Sequence, residues 1–138
     1  MVQLFQQPNP RQNVDRTHPH RNSALRLVFQ ITNGEERPRL VSIPLKESLT
    51  IGRGGGSGED HPDIDLSSFH ALENGVSRQH ARFSFDGEHL QLEDLYSTNG
   101  TRINGFQIHP ARQYRLRSGD EIEIGRLRLT INLVRRSL

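Results

Sequence analysis

The chain has 138 residues, 32% of them hydrophobic, with 18 Lys and Arg against 16 Asp and Glu and no cysteine. That length suits one domain with a real core and is too short for two ordinary ones. The composition excludes disulfides, thiolate metal sites and a thiol nucleophile, and no apolar run is long enough to span a bilayer as a helix.

Residues 1–23 are polar and rich in Gln, Pro, Asn, Arg and His, with no periodicity that could bury a face, and are expected to form a flexible arm. The opening M-V-Q-L-F-Q-Q-P-N-P lacks a basic end and a continuous apolar stretch, so nothing in it directs secretion and a cytoplasmic location is expected. The arm holds Arg11, Arg16 and Arg21 against Asp15, so residues 24–138 carry fifteen charges of each sign. The sequence pI of about 9.7 therefore comes from a small arginine excess in a chain with little else to titrate at high pH. A nucleic-acid partner is not expected on this balance.

From Ala24 the character changes to short β-branched and leucine-rich runs: L-R-L-V-F-Q-I-T, R-L-V-S-I-P-L and S-L-T-I-G-R. After a loop of Gly, Ser, Asp and Pro over residues 54–62 come I-D-L, a strand over 80–85, then runs at 89–95 and 101–108, Y-R-L-R, E-I-E-I and L-R-L-T-I-N-L-V. Only H-A-L-E, over 70–73, suits even one helical turn. Alternation with a period of two, broken by D-G, N-G and S-G-D turns, predicts an all-β antiparallel sandwich of about eleven short strands over 24–134, with a short tail at 135–138. Asp86-Gly87 is the strongest hairpin signal.

Three loop motifs stand at strand ends: Gly52-Arg53, S-R-Q-H at 77–80, and S-T-N-G-T-R-I-N-G at 97–105. Taken singly, Arg53 reads as a solvated charge, Ser77 as a turn residue and Asn99-Gly100 as a tight turn. Together they gather an arginine fork that stays charged, hydroxyl donors and an amide, a set suited to a phosphate carried on a peptide.

In this order and on an all-β chain, the motifs resemble the forkhead-associated (FHA) domain, a β-sandwich that binds phosphothreonine peptides. The stretch P-D-I-D-L-S-S-F-H-A-L-E-N-G-V-S-R resembles a form common in bacterial members. The resemblance implies that Arg53 and Ser77 hold the phosphate, that Arg78 and Thr98 touch its rim, and that Asn99 holds the peptide backbone. Arg78 is the softest assignment, because an exposed rim charge can contribute nothing measurable. His80 is implied to brace neighbouring loops from a buried position, and Gly52, Gly100, Asn104 and Gly105 to set backbone shape. A small pocket for the threonine methyl would be built from Thr98, Asn99 and the turn at Gly125-Arg126. The loops over 54–73 and 106–109 would read the residues after the phosphothreonine.

The implied partner is a phosphothreonine protein made by a Ser/Thr kinase; a fold kept for phosphate-independent interaction is the alternative. Thr17 on the arm, if phosphorylated, would be a tethered ligand capable of self-association. Other chemistries fit poorly. G-R-G-G-G-S-G lacks the G-K-[ST] of a nucleotide loop, since Lys46 is the only lysine. D-H-P-D-I-D at 60–65 and H-P-H at 18–20 match no ligand spacing, so neither metal nor cofactor is expected. A hydrolase drawn from Ser77, His80 and Asp94 lacks a nucleophile elbow, so no catalysis is expected.

Overall fold

In a computed structural model of the chain, residues 25–32, 37–55 and 61–135 are described. The expected arm over 1–23, with Thr17 and H-P-H, lies outside them, as do part of the glycine-rich loop and the last three residues.

Eleven strands form: β1 Leu25–Thr32, β2 Arg39–Pro44, β3 Ser48–Gly52, β4 Ile64–Asp65, β5 Ala81–Phe85, β6 Leu90–Asp94, β7 Thr101–Ile103, β8 Phe106–Gln107, β9 Gln113–Leu116, β10 Glu121–Ile124 and β11 Leu127–Arg135. They divide into a six-stranded sheet, β2-β1-β11-β10-β7-β8, and a five-stranded sheet, β4-β3-β5-β6-β9. The alternation seen in the sequence decides which side chains face inward. Leu27, Phe29 and Ile31 of β1 and Leu127, Leu129 and Ile131 of β11 are buried from one sheet, and Leu49, Ile51, Ala81, Phe83 and Leu92 from the other. Phe29 and Phe83 stack across the interior with ring centroids 5.8 Å apart. Pro44, which has no amide hydrogen to donate, ends an edge strand.

The structure refines the expected pattern at four places. Pairing is antiparallel except for β3 with β4, which run parallel with Ile51 opposite Ile64. The run at 101–108 is a hairpin rather than one strand, because Asn104 (φ 49°) and Gly105 (φ 86°) turn the chain between β7 and β8. The helical turn lies at Ser67–Phe69, ahead of H-A-L-E, and residues 70–75 continue as turns. Finally, β11 runs to Arg135, one residue into the expected tail. The Asp86-Gly87 turn forms as read, with Asp86 Oδ1 accepting the amides of Glu88 and His89.

Register places the β3–β4, β4–β5, β6–β7 and β10–β11 connections at one end of the sandwich. Gly52-Arg53, the S-R-Q-H motif and the S-T-N-G part of the third motif sit there, while its N-G lies at the far end of β7. Among the described residues no helix is long and apolar enough to cross a membrane.

Because Phe29 and Phe83 join the two sheets, Phe83→Ala should lower unfolding free energy by about 3 to 5 kcal/mol. Val134→Ala, at an exposed strand end, should stay within about 0.5 kcal/mol of the parent. Urea melts of both variants check the contrast; equal midpoints would contradict this packing.

Candidate functional site

His80 organises the loop end. Its side chain is 0% exposed, at the entry to β5. Nδ1 accepts the Ser77 amide at 3.0 Å and Nε2 meets the Gly100 carbonyl at 2.9 Å. These partners fix the tautomer, since a ring nitrogen that accepts an N–H is unprotonated and one that faces a carbonyl carries the proton. The imidazole is therefore neutral. Burial pushes its pKa below the usual 6.5, with the Gly100 hydrogen bond and the nearby Asp94 charge opposing that shift.

A second buried group shapes the β6–β7 loop. Asp94 is 2% exposed and its Oδ1 accepts the hydroxyls of Ser97 at 2.6 Å and Thr101 at 2.7 Å, while Oδ2 accepts the Ser97 amide at 3.1 Å. Ser97 Oγ in turn accepts the Gly100 amide at 2.9 Å. The loop is thus wound around one carboxylate, which leaves Thr98 and Asn99 exposed at its tip.

The other motif residues meet at this point. Ser77 Oγ accepts the Thr98 amide at 3.1 Å, tying the β4–β5 loop to the β6–β7 loop. Asn99 Nδ2 donates to the Gly75 carbonyl at 2.9 Å. Arg53 donates through its amide to the Ser77 carbonyl at 2.9 Å and through Nε to the Val76 carbonyl at 3.0 Å. Its two Nη groups make no hydrogen bond among the described residues. Arg78 is exposed beside Ser77.

The supporting residues divide. Gly52 permits the close approach of β3 to this loop, since a Cβ there would lie 1.9 Å from the Arg78 carbonyl oxygen. Gly100 has φ 85° and gives its carbonyl to His80. Asn104 and Gly105 stand apart at the other end of β7, where the Asn104 side chain bonds Asp120 and the Glu121 amide. They shape a hairpin and touch none of the residues above. The turn at Gly125-Arg126 lies against the β4–β5 loop: the Arg126 amide donates to Asn74 O at 2.8 Å and its Nη2 donates to Glu73 O.

Sequence reading missed the Asp94–Ser97–Thr101 network and the clamp by Arg126. An Asp followed by Ser three residues on was the available signal for the first; nothing local announces the second. His80 has both nitrogens on backbone partners and makes no hydrogen bond to Ser77 Oγ. No group of His, Asp and Glu that could hold a metal occurs among the described residues. Asp63 and Asp65 of D-H-P-D-I-D instead take loop amides from Thr50 and Ser67.

A family model described as FHA domain matches residues 49–125, more than half of the chain. The chain belongs to the FHA family. FraH of Nostoc sp. is 43% identical over 65 residues, covering 47% of this chain and 22% of that protein. The curated relatives are longer; the chain spans 13% to 44% of their lengths. Among solved structures, the FhaA FHA domain in complex with the intracellular domain of Rv3910 matches with TM-score 0.56 and 30% identity over 77% of this chain and 99% of that one. The N-terminal FHA domain of Rad53p from S. cerevisiae, in complex with a phosphothreonine peptide, matches with TM-score 0.57 and 25% identity over 78% and 93%. In this FHA domain β1, β2 and β11 lie outside the matched residues yet complete the six-stranded sheet.

The neutral His80 sets a pH dependence. Its folded pKa is depressed, so below about 6.5 the unfolded chain takes up a proton that the folded site resists. This contribution to stability is present above that pH and is lost as pH falls. Urea melts between about pH 7.5 and pH 5 should show the decline, and His80→Gln should show a shallower one. Equal slopes would remove His80 as its source.

Proposed function

We propose that the chain is a phosphothreonine-dependent interaction module without catalytic chemistry. Arg53 and Ser77 hold the phosphate, Arg78 and Thr98 line its rim, and Asn99 bonds the peptide backbone. The partner is a protein phosphorylated by a Ser/Thr kinase, bound through a module spanning residues 24–134.

The observation that carries this reading is the Ser77 hydroxyl. Its oxygen is occupied by the Thr98 amide, so its proton has no acceptor among the described residues and is available to an incoming anion. The Arg53 Nη pair is available beside it, with Nε anchored on Val76 so that the fork is pre-set. Charge-assisted bonds from such a fork are the strong ones. Asn99 is oriented in the same way: Nδ2 on Gly75 leaves Oδ1 for a peptide amide. The similar FhaA domain is complexed with the intracellular domain of Rv3910 and the similar Rad53p domain with a phosphothreonine peptide, which supports a binding role.

Titration calorimetry with matched phosphothreonine, phosphoserine and unphosphorylated peptides tests the proposal. The phosphothreonine peptide should bind best, and Arg53→Ala should weaken it by about 1.5 to 3 kcal/mol, roughly 10- to 150-fold, while the variant still folds. Affinity should also fall as pH drops through about 6, where the phosphate dianion gains a proton. Equal binding of phosphorylated and unphosphorylated peptides would overturn the reading and leave an FHA fold that binds independently of phosphate.

A further inference from the structure

Three arginines from three other elements close on one stretch of chain, residues 69–78, which carries a fourth. The Arg39 guanidinium, at the start of β2, lies over the Phe69 ring with Cζ 4.5 Å from its centroid. Arg126, from the β10–β11 turn, donates through Nη2 to the Glu73 carbonyl. Arg53 donates through Nε to the Val76 carbonyl, and Arg78 is itself an exposed member of the stretch.

None of these four cations meets a carboxylate among the described residues. On the outer faces of the two sheets Arg82 faces Glu93 at 3.6 Å and Arg102 faces Glu123 at 3.7 Å, while Arg115 and Arg128 meet no carboxylate among the described residues. Among the described residues, Glu73, Asp65 and Asp63 near the loop end are already engaged. Glu73 lies 3.3 Å from His70, Asp65 accepts the Ser67 amide, and Asp63 accepts the Thr50 amide and hydroxyl. Arg39, Arg53 and Arg126 are held through backbone carbonyls or an aromatic face, contacts that do not themselves neutralise a guanidinium and that leave further N–H groups open.

The charge exceeds what one phosphate needs. A phosphothreonine carries about −1.5 to −2 at neutral pH, which Arg53 and Arg78 balance between them. Arg39 and Arg126 are surplus to that, and holding like charges together has a cost unless an anion is supplied. Resting on the phosphate-reading proposal, we propose that this arginine ring selects phosphothreonine embedded in acidic sequence, with Asp or Glu side chains or a second phosphate flanking it. Arg39 is the specificity residue for the flanking anion, while Arg126 serves both as loop clamp and as part of the positive field.

The test is fluorescence anisotropy with four labelled peptides: phosphothreonine with neutral flanks, the same with Glu flanks, the same with a flanking phosphoserine, and the Glu-flanked peptide without phosphate. Two solvated arginine–anion pairs should tighten binding roughly 2- to 30-fold over the neutral-flanked phosphopeptide at low salt. That gain should shrink when salt rises to about 0.3 M, where screening is strong. Arg39→Gln should remove most of the gain while leaving affinity for the neutral-flanked phosphopeptide unchanged. The Glu and phosphoserine arms separate carboxylate from phosphate as the preferred flank. Equal binding of neutral and acidic phosphopeptides by the parent protein would overturn the inference and leave the phosphate reading intact. If phosphate on the Glu-flanked peptide adds nothing, the phosphate reading itself fails. Because the parent protein's salt dependence reads the same quantity, poor folding of the Arg39 variant would not rescue the inference.

Discussion

One imidazole ties two loops from different strands into a single rigid edge. His80 takes the Ser77 amide on one nitrogen and gives its other proton to the Gly100 carbonyl. Both partners are backbone groups, so the ring fixes the course of the chain on either side of the site. Without it, the part-buried Ser77 amide would lose its partner at about 1 to 3 kcal/mol, the Gly100 carbonyl would keep only the Gly125 amide, and the ring's volume would be lost from the interior. The bond requires a neutral ring, the form that burial favours. Solvation physics and loop geometry thereby impose the same condition.

Around that brace the site is built from carbonyls given away and donors kept. The carbonyls of Glu73, Asn74, Gly75, Val76 and Ser77 each accept from Arg126, Asn99 or Arg53. Asp94 performs the matching task inside the β6–β7 loop, absorbing the hydroxyls of Ser97 and Thr101. What remains facing outward is a surface of N–H and O–H groups with fixed directions. Such a surface needs little reorganisation to receive an anion, which is how preorganisation improves binding. Gly52 belongs to the same economy of space, since the β4–β5 loop approaches β3 more closely than any side chain allows.

Much of the sandwich was legible because alternation is written residue by residue: L-R-L-V-F-Q-I-T places Leu27, Phe29 and Ile31 inward with no help from context. What was not legible depends on neighbours distant in sequence. I-D-L was read as a strand, but its parallel pairing with Ile51 and Gly52 was not. Likewise Ser67–Phe69, rather than H-A-L-E, takes the helical turn, with Phe69 buried beneath Arg39. In the site, the motifs marked the residues at the loop tips, and the structure brings Arg53, Ser77, Arg78, Thr98 and Asn99 to one end. Asn104 and Gly105 share the third motif's spacing but belong to a separate hairpin, a distinction that spacing alone does not carry. The supports were hidden for a physical reason: Asp94 reads as the polar end of a strand until its hydroxyl partners fold back on it.

The central claim is that a neutral His80, protonated on Nε2, holds the Ser77 loop to the Gly100 loop. Nitrogen-15 NMR of the imidazole in labelled protein at neutral pH tests it most directly, because the two ring nitrogens report their protonation separately. The account predicts a protonated Nε2 and a bare Nδ1 that is hydrogen-bonded to the Ser77 amide. A proton on Nδ1, or a charged ring, would contradict it, because neither can accept that amide.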